Sequence, residues 1–139
     1  MEWAALITWI VTAGGGFLLL ATWLRHGGMA QAGRPRRIRP PLVLGHFALA
    51  ATGLVLWIVY VAADSDALAW IAFILLLVVA LMGFTMFGIW ASQRPRAVPV
   101  TGDEPSAERH FPVPVVALHG LLAATTLVLV FLTAVGVGD

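Results

Sequence analysis

Two histidines stand in nearly the same sequence context, 73 residues apart. HFALAATGLVL begins at His46 and HGLLAATTLVL begins at His119, and eight of the eleven positions agree. The same offset places Pro41 on Pro114, five residues before each histidine. Imidazole nitrogens ligate metals and exchange protons near neutral pH. The matched pair is therefore a candidate for metal, cofactor or proton chemistry.

The segments around both histidines have the composition of membrane-spanning helices. The chain has 139 residues, of which 60% are hydrophobic and 11% are charged. Four uncharged apolar segments run over about 3–24, 41–63, 67–91 and 113–137. Each has roughly the 20 residues that a helix needs to cross a bilayer. We therefore predict an all-α membrane protein, with one transmembrane domain over 1–139 folded as a four-helix up-down bundle.

The basic residues predict how the bundle is oriented. All eight are arginines, and all lie in the two loops at about 25–40 and 92–112. The termini and the connection Asp64-Ser65-Asp66 carry acids and no base. The positive-inside rule then places both Arg-rich loops in the cytoplasm and both termini outside. Arginine-only basic usage with abundant Ala, Val and Gly is typical of a high-GC bacterial gene, which indicates a bacterial plasma membrane.

A second repeated pattern involves the first and third segments. Gly16-Phe17 is followed by Trp23, and Gly83-Phe84 is followed by Trp90 with the same spacing. This offset is 67, against 73 for the histidine segments. We predict a 2+2 repeat of helical hairpins in the same orientation. Chance similarity between apolar helices is the alternative interpretation.

The geometry of such a bundle favours a metal held between the two histidines. His46 and His119 should lie at one depth on diagonally opposed helices, and an ionisable residue within a membrane marks a functional site by default. A diagonal spans roughly 11–14 Å, and two imidazoles with an iron between them need a similar span. Small residues one and two turns after each histidine would leave room for a flat macrocycle; these are Ala50, Gly53, Ala123 and Thr126.

These residues resemble the bis-histidine b-type cytochromes of membrane electron transfer, in which paired transmembrane helices each supply one axial histidine. The resemblance implies one low-spin haem b that carries electrons, with propionates near the arginine-rich side. Arg39 and Arg109 lie on that side and would pair with them. It also implies an electron carrier, or the membrane anchor of a larger respiratory or redox complex, more readily than a stand-alone enzyme.

Other interpretations of the same residues remain open. The histidines could serve packing alone, in a non-catalytic structural or assembly subunit or a homo-oligomer without cofactor. A small transporter or channel is disfavoured because the segments contain no acid or arginine. His26 and His110, in or beside the loops, are weaker candidates for binding a metal. The run RPRRIRPP indicates an anchor at the lipid surface and not a nucleic-acid site.

Three further expectations concern residues outside the histidine pair. Most tryptophans lie toward the ends of the segments, which is typical of interfacial anchors. Trp57 and Tyr60 are expected to belong to such a belt or to face lipid, and a quinone stacked on them is the alternative. Asp103, Glu104 and Glu108 are expected in a solvated loop.

Overall fold

The computed structural model describes residues 1–31, 37–93 and 106–137 of the chain. Within these ranges the structure contains helices and turns and no strand. The four long helices are α1 (Glu2–Arg25), α2 (Pro40–Ala63), α3 (Asp66–Gln93) and α4 (Val113–Ala134). Two short 3₁₀ helices, Gly28–Gln31 and Ala107–His110, lie between them. The predicted all-helical fold is confirmed, and the helices begin and end within three residues of the predicted bounds.

Proline and turn residues explain where these helices begin and end. Helix α2 begins with Pro40 and Pro41, whose missing amide hydrogens cost nothing in a first helical turn. Helix α2 ends at Ala63, the next residue Asp64 adopts the left-handed conformation with φ of 50°, and Ser65 then leads into α3. Helix α4 ends at Ala134, three residues before the predicted end, and Gly136 follows in a turn with φ of 77°.

The helices form a ring in which α2 and α4 stand across from each other. Helix α1 packs mainly on α4, α2 packs mainly on α3, and lesser α3–α4 and α1–α2 contacts complete the ring. The end with the Asp64–Ser65 turn and Met1 is called the turn end below. The opposite end, with both 3₁₀ helices, is called the loop end. This ring is the diagonal arrangement that the sequence predicted for the two histidine helices.

The outer surface of the bundle is apolar along its length. All four helices are long and apolar enough to cross a membrane. The most exposed large hydrophobic side chains include Phe84 at 70%, Leu121 at 66% and Leu18 at 61%. A surface of this kind suits lipid and not water, since large apolar patches on soluble proteins are rare. The chain is therefore a candidate multi-pass membrane protein.

The buried core lies between the histidine level and the turn end, and aromatic rings fill much of it. The Trp9 and Trp57 rings have centres 6.4 Å apart, and Tyr60 packs on Trp57 at 4.7 Å. Trp57 is fully buried, and Tyr60 is only 5% exposed. The expectation that Trp57 and Tyr60 face lipid or form a belt is therefore wrong. Helices that are apolar all round give no pattern that distinguishes an inward face from a lipid face.

Hydrogen bonds to a buried carboxylate connect the elements at the loop end. Glu108 has no exposed surface and accepts hydrogen bonds from Gln31 Nε2 at 2.9 Å, Gln93 Nε2 at 2.9 Å and the Ile38 amide at 3.2 Å. Gln31 also accepts the Ala107 amide at 2.9 Å. The expectation of a solvated Glu108 is wrong, because amide donors from three separate elements replace its water.

Candidate functional site

The two histidines occupy equivalent places on α2 and α4. Each lies six residues after the first residue of its helix, about 9 Å along the axis from the loop end. Both side chains are partly buried. Their ring centres are 6.5 Å apart, with 57° between the ring planes. The structure therefore brings His46 and His119 together inside the bundle, as the sequence predicted.

Each imidazole is held by a carbonyl of the helix beside it. The Nδ1 atom of His46 lies 3.0 Å from the Val79 carbonyl oxygen on α3. The Nδ1 atom of His119 lies 2.9 Å from the Thr12 carbonyl oxygen on α1. Because a carbonyl can only accept, Nδ1 carries the hydrogen in both rings. Thr12 and Val79 are themselves 67 positions apart, which is the offset between Gly16 and Gly83.

Glycines on α1 and α3 allow the rings to lie this close to the neighbouring backbone. A Cβ atom at Gly16 would stand 3.1 Å from His119 Cε1, and one at Gly15 would stand 3.5 Å from His119 Nδ1. A Cβ atom at Gly83 would stand 3.4 Å from His46 Cε1. Gly16 and Gly83 therefore occupy equivalent positions, since each lies against the ring of the histidine from the adjacent helix.

This arrangement leaves both Nε2 atoms available as ligands. With Nδ1 protonated, Nε2 carries a lone pair, and no hydrogen bond to either Nε2 is present among the described residues. Two imidazoles that shared one metal would have ring centres up to about 6 Å apart, since a metal–nitrogen bond is about 2 Å and a nitrogen lies roughly 1 Å from its ring centre. The observed 6.5 Å is close to that separation.

The predicted small residues after the histidines do not all line open space. Gly53 is buried, and a Cβ there would stand 3.1 Å from Trp9 Cζ2, so the Trp9 indole covers this position. Thr126 is buried, donates to the Leu122 carbonyl at 2.8 Å and lies 3.5 Å from Thr12 Oγ1. Ala50 and Ala123 are partly buried, one turn from the histidines.

The remaining predicted residues lie at the loop end. Arg39, directly before α2, and Arg109, in the second 3₁₀ helix, are both exposed. His26 and His110 are exposed and stack with ring centres 3.8 Å apart and an 11° angle between planes. His26 Nδ1 also lies 2.8 Å from the Thr22 carbonyl. Within residues 1–31, 37–93 and 106–137, no group of three or more His, Asp or Glu could hold a metal ion.

The residues that orient the histidines could not be identified from the sequence. Val79 and Thr12 act through their carbonyls, and a backbone atom leaves no sign in the choice of side chain. Trp23 is fully buried, although its position near the end of α1 is typical of an interfacial anchor. The equal spacing from Gly16 to Trp23 and from Gly83 to Trp90 was the one sequence feature that marked inward-facing positions on α1 and α3. Both tryptophans are buried in the structure.

The site thus belongs to a four-helix bundle of membrane-spanning character with an interior histidine pair. In comparisons with protein-family models, curated proteins and solved structures, no match to this chain was found.

Proposed function

We propose that this chain binds one haem b between His46 and His119 and serves membrane electron transfer. The separation of the two imidazole centres, 6.5 Å, carries the proposal. Both Nδ1 atoms are engaged by backbone carbonyls, which leaves Nε2 to face a ligand. A haem held there supplies a one-electron redox couple. His46 and His119 would hold the iron through their Nε2 atoms, the Val79 and Thr12 carbonyls fix the orientation of both rings, and apolar helices surround them.

The hydrogen bonds at Nδ1 support ligation through Nε2. Histidines that bind metals almost always donate their other ring hydrogen to a carbonyl, a carboxylate or water, which fixes the tautomer and the ring orientation. The Val79 and Thr12 carbonyls have this relationship to His46 and His119. Both imidazoles are therefore already in the form in which they would bind iron.

A duplicated helical hairpin would explain why the two halves match, and the burial pattern supports the 2+2 repeat. Every buried residue of α1 lies 67 positions before a buried residue of α3. Gly53, Trp57 and Tyr60 of α2 lie 73 positions before the three buried residues of α4. The α1–α3 pairs are Ala5 and Ala72, Trp9 and Leu76, Thr12 and Val79, and Trp23 and Trp90; the α2–α4 partners are Thr126, Val130 and Thr133.

The charge distribution supports a cytoplasmic loop end in a bacterial plasma membrane, with both termini outside. In the sequence, all eight arginines fall within 25–40 and 92–112, the segments that connect α1 to α2 and α3 to α4. The histidine pair then lies nearer the cytoplasmic surface. One haem at that depth would supply an electron couple near one surface only. The chain would then work with a quinone or a protein on that side, within a larger redox complex or an oligomer.

A structural subunit without cofactor is the second candidate, and one observation favours it. Each histidine already joins two helices: His46 connects α2 to α3, and His119 connects α4 to α1. Interhelical hydrogen bonds in membranes contribute about 0.6 kcal/mol on average. In this case the pair would stabilise the bundle for assembly with other membrane proteins.

Absorption spectra distinguish the two candidates. The wild-type protein, expressed with ample haem and purified in detergent, should show a sharp Soret band and a reduced α-band after dithionite. His46→Ala and His119→Ala should each lose the six-coordinate spectrum, because one axial nitrogen is removed. Pyridine haemochrome analysis should give one haem b per chain.

His26→Ala and His110→Ala are the matched controls, since both histidines are exposed and lie outside the pair. Both variants should keep the wild-type spectrum. A folded wild-type protein that is colourless despite ample haem would overturn the haem proposal and leave the structural subunit. A spectrum that survives in both His46→Ala and His119→Ala would place the haem elsewhere.

A further inference from the structure

The indole N–H of Trp23 is a buried donor without an acceptor. The side chain has no exposed surface, and Nε1 is the only buried side-chain nitrogen or oxygen in the described part of the chain that lacks a hydrogen-bond partner. Trp57, equally buried, donates its N–H to the Glu2 carbonyl at 3.3 Å. Because an unsatisfied buried donor is costly, an acceptor is expected where Trp23 lies.

The position of Trp23 on α1 favours an acceptor on the histidine side of the indole. On the loop side, Gly28 packs directly on the indole, where any Cβ would overlap the ring. Trp23 follows Gly16 by seven residues, which is two turns on the same face of α1 and about 10 Å along the axis. Side chains of a helix lean toward its N-terminus, so this indole leans from the loop end back toward the histidine level.

We propose that Trp23 Nε1–H donates a hydrogen bond to an anionic carboxylate of the bound cofactor, a haem propionate, on the loop side of the histidine pair. This inference rests on the proposed function and adds a second contact to it. The exposed Arg39 and Arg109 would meet the same carboxylates only in water, where ion pairs contribute little. Trp23 makes its contact away from water, and a hydrogen bond to a charged oxygen is strongest there.

The test compares Trp23→Phe with Trp57→Phe in the haem-loaded protein. Both changes remove one indole N–H from a fully buried ring, but only Trp57 has an assigned acceptor, at the turn end. Trp23→Phe should keep both axial histidines and bind haem about tenfold or more weakly. Its midpoint potential should fall, because a propionate without its donor keeps more negative charge near the iron. Trp57→Phe should leave the potential and the haem affinity unchanged.

A second measurement needs no variant and tests the hydrogen bond between Trp23 and the propionate even if Trp23→Phe does not fold. The wild-type protein carrying ¹⁵N-labelled tryptophan is loaded with reduced haem or with reduced haem dimethyl ester, whose carboxylates are neutralised. One indole N–H proton should lie further downfield with haem than with the ester. The ring currents of the two porphyrins are nearly the same, so the difference reports the hydrogen bond.

The outcomes separate this inference from the proposal on which it rests. Haem uptake with the wild-type spectrum, together with equal potentials and affinities in Trp23→Phe and the wild type, would overturn the Trp23 contact and leave the axial pair intact. Equal indole signals with haem and its dimethyl ester would overturn it in the same way. A wild-type protein that binds no haem would overturn both.

Discussion

Gly16 lies directly against the imidazole of His119, where a Cβ atom would stand 3.1 Å from Cε1. The same helix holds that ring through the Thr12 carbonyl, one turn earlier. Helix α1 therefore fixes His119 by one hydrogen bond and one close surface contact. Gly83 and Val79 of α3 act on His46 in the same way. The position of each histidine ring thus depends on the backbone of a neighbouring helix.

Gly16→Leu should displace His119 and weaken haem binding. The added side chain would occupy the space of the imidazole, and overpacking of this kind costs about 1–3 kcal/mol, or roughly ten- to hundredfold in affinity. Haem titration of the detergent-solubilised protein measures the loss. Gly14→Leu is the matched control on the same helix, because a Cβ at Gly14 meets no atom within 4 Å. Equal haem affinities in the two variants would contradict a close Gly16–His119 contact.

Gly28→Ala should destabilise the loop end. A Cβ at Gly28 would overlap the fused ring of Trp23, so the first 3₁₀ helix has to move away from α1. We expect a loss of about 1–3 kcal/mol in the free energy of unfolding. Thermal unfolding followed by tryptophan fluorescence checks it. Gly120→Ala, at an exposed site with no atom within 4 Å of its Cβ, should leave the midpoint unchanged or raise it slightly.

Glu108→Ala should separate the elements that meet at the loop end. It removes the acceptor of the Gln31, Gln93 and Ile38 hydrogen bonds. Bonds to a charged acceptor contribute about 1.5–3 kcal/mol each, and the donors would stay buried. The free energy of unfolding in detergent should therefore fall by at least about 2 kcal/mol. Glu2→Ala, an acid at the other end of the bundle, is the comparison, and equal stability losses in both would count against the Glu108 network.

Single cysteines test the proposed orientation in the membrane. The chain contains no cysteine, so each introduced thiol is the only reactive one. Ser65→Cys, in the turn between α2 and α3, should react in intact cells with a maleimide that cannot cross membranes. Met29→Cys, exposed in the first 3₁₀ helix, should react only after permeabilisation. The reverse pattern would place the loop end outside and contradict the charge argument.

The long helices could be predicted from the sequence because their signals are local. An apolar segment of the right length, bounded by charges or prolines, is visible in a short window, as in the segment from Pro40 to Ala63. The depth of His46 and His119 followed from the same information, since each lies at a fixed distance from the start of its helix. Diagonal placement followed from the connections between four antiparallel helices.

The contacts of the histidine pair could not be predicted in the same way. Thr12 and Val79 contribute carbonyl oxygens, which every residue has, so only the rotation of α1 and α3 decides which carbonyl faces an imidazole. The small size of Gly53 predicts space beside His46, but the Trp9 ring from α1 lies over it. The burial of Glu108 could not be predicted, because its partners Gln31 and Gln93 are distant in the sequence.

The sequence by itself determined four apolar helices, the ends at which they turn and the common depth of two histidines. These properties depend on hydropathy, charge and chain length, and each of these quantities is a sum over individual residues. Only the tertiary structure decided which face of each helix is buried, how Trp9 and Trp23 are enclosed and where both Nδ1 atoms donate. Lipid is as apolar as leucine, so the hydropathy of the residues does not show which face of such a helix is buried. The inward face is selected by packing between helices, and it is packing that brings the two imidazoles within 6.5 Å.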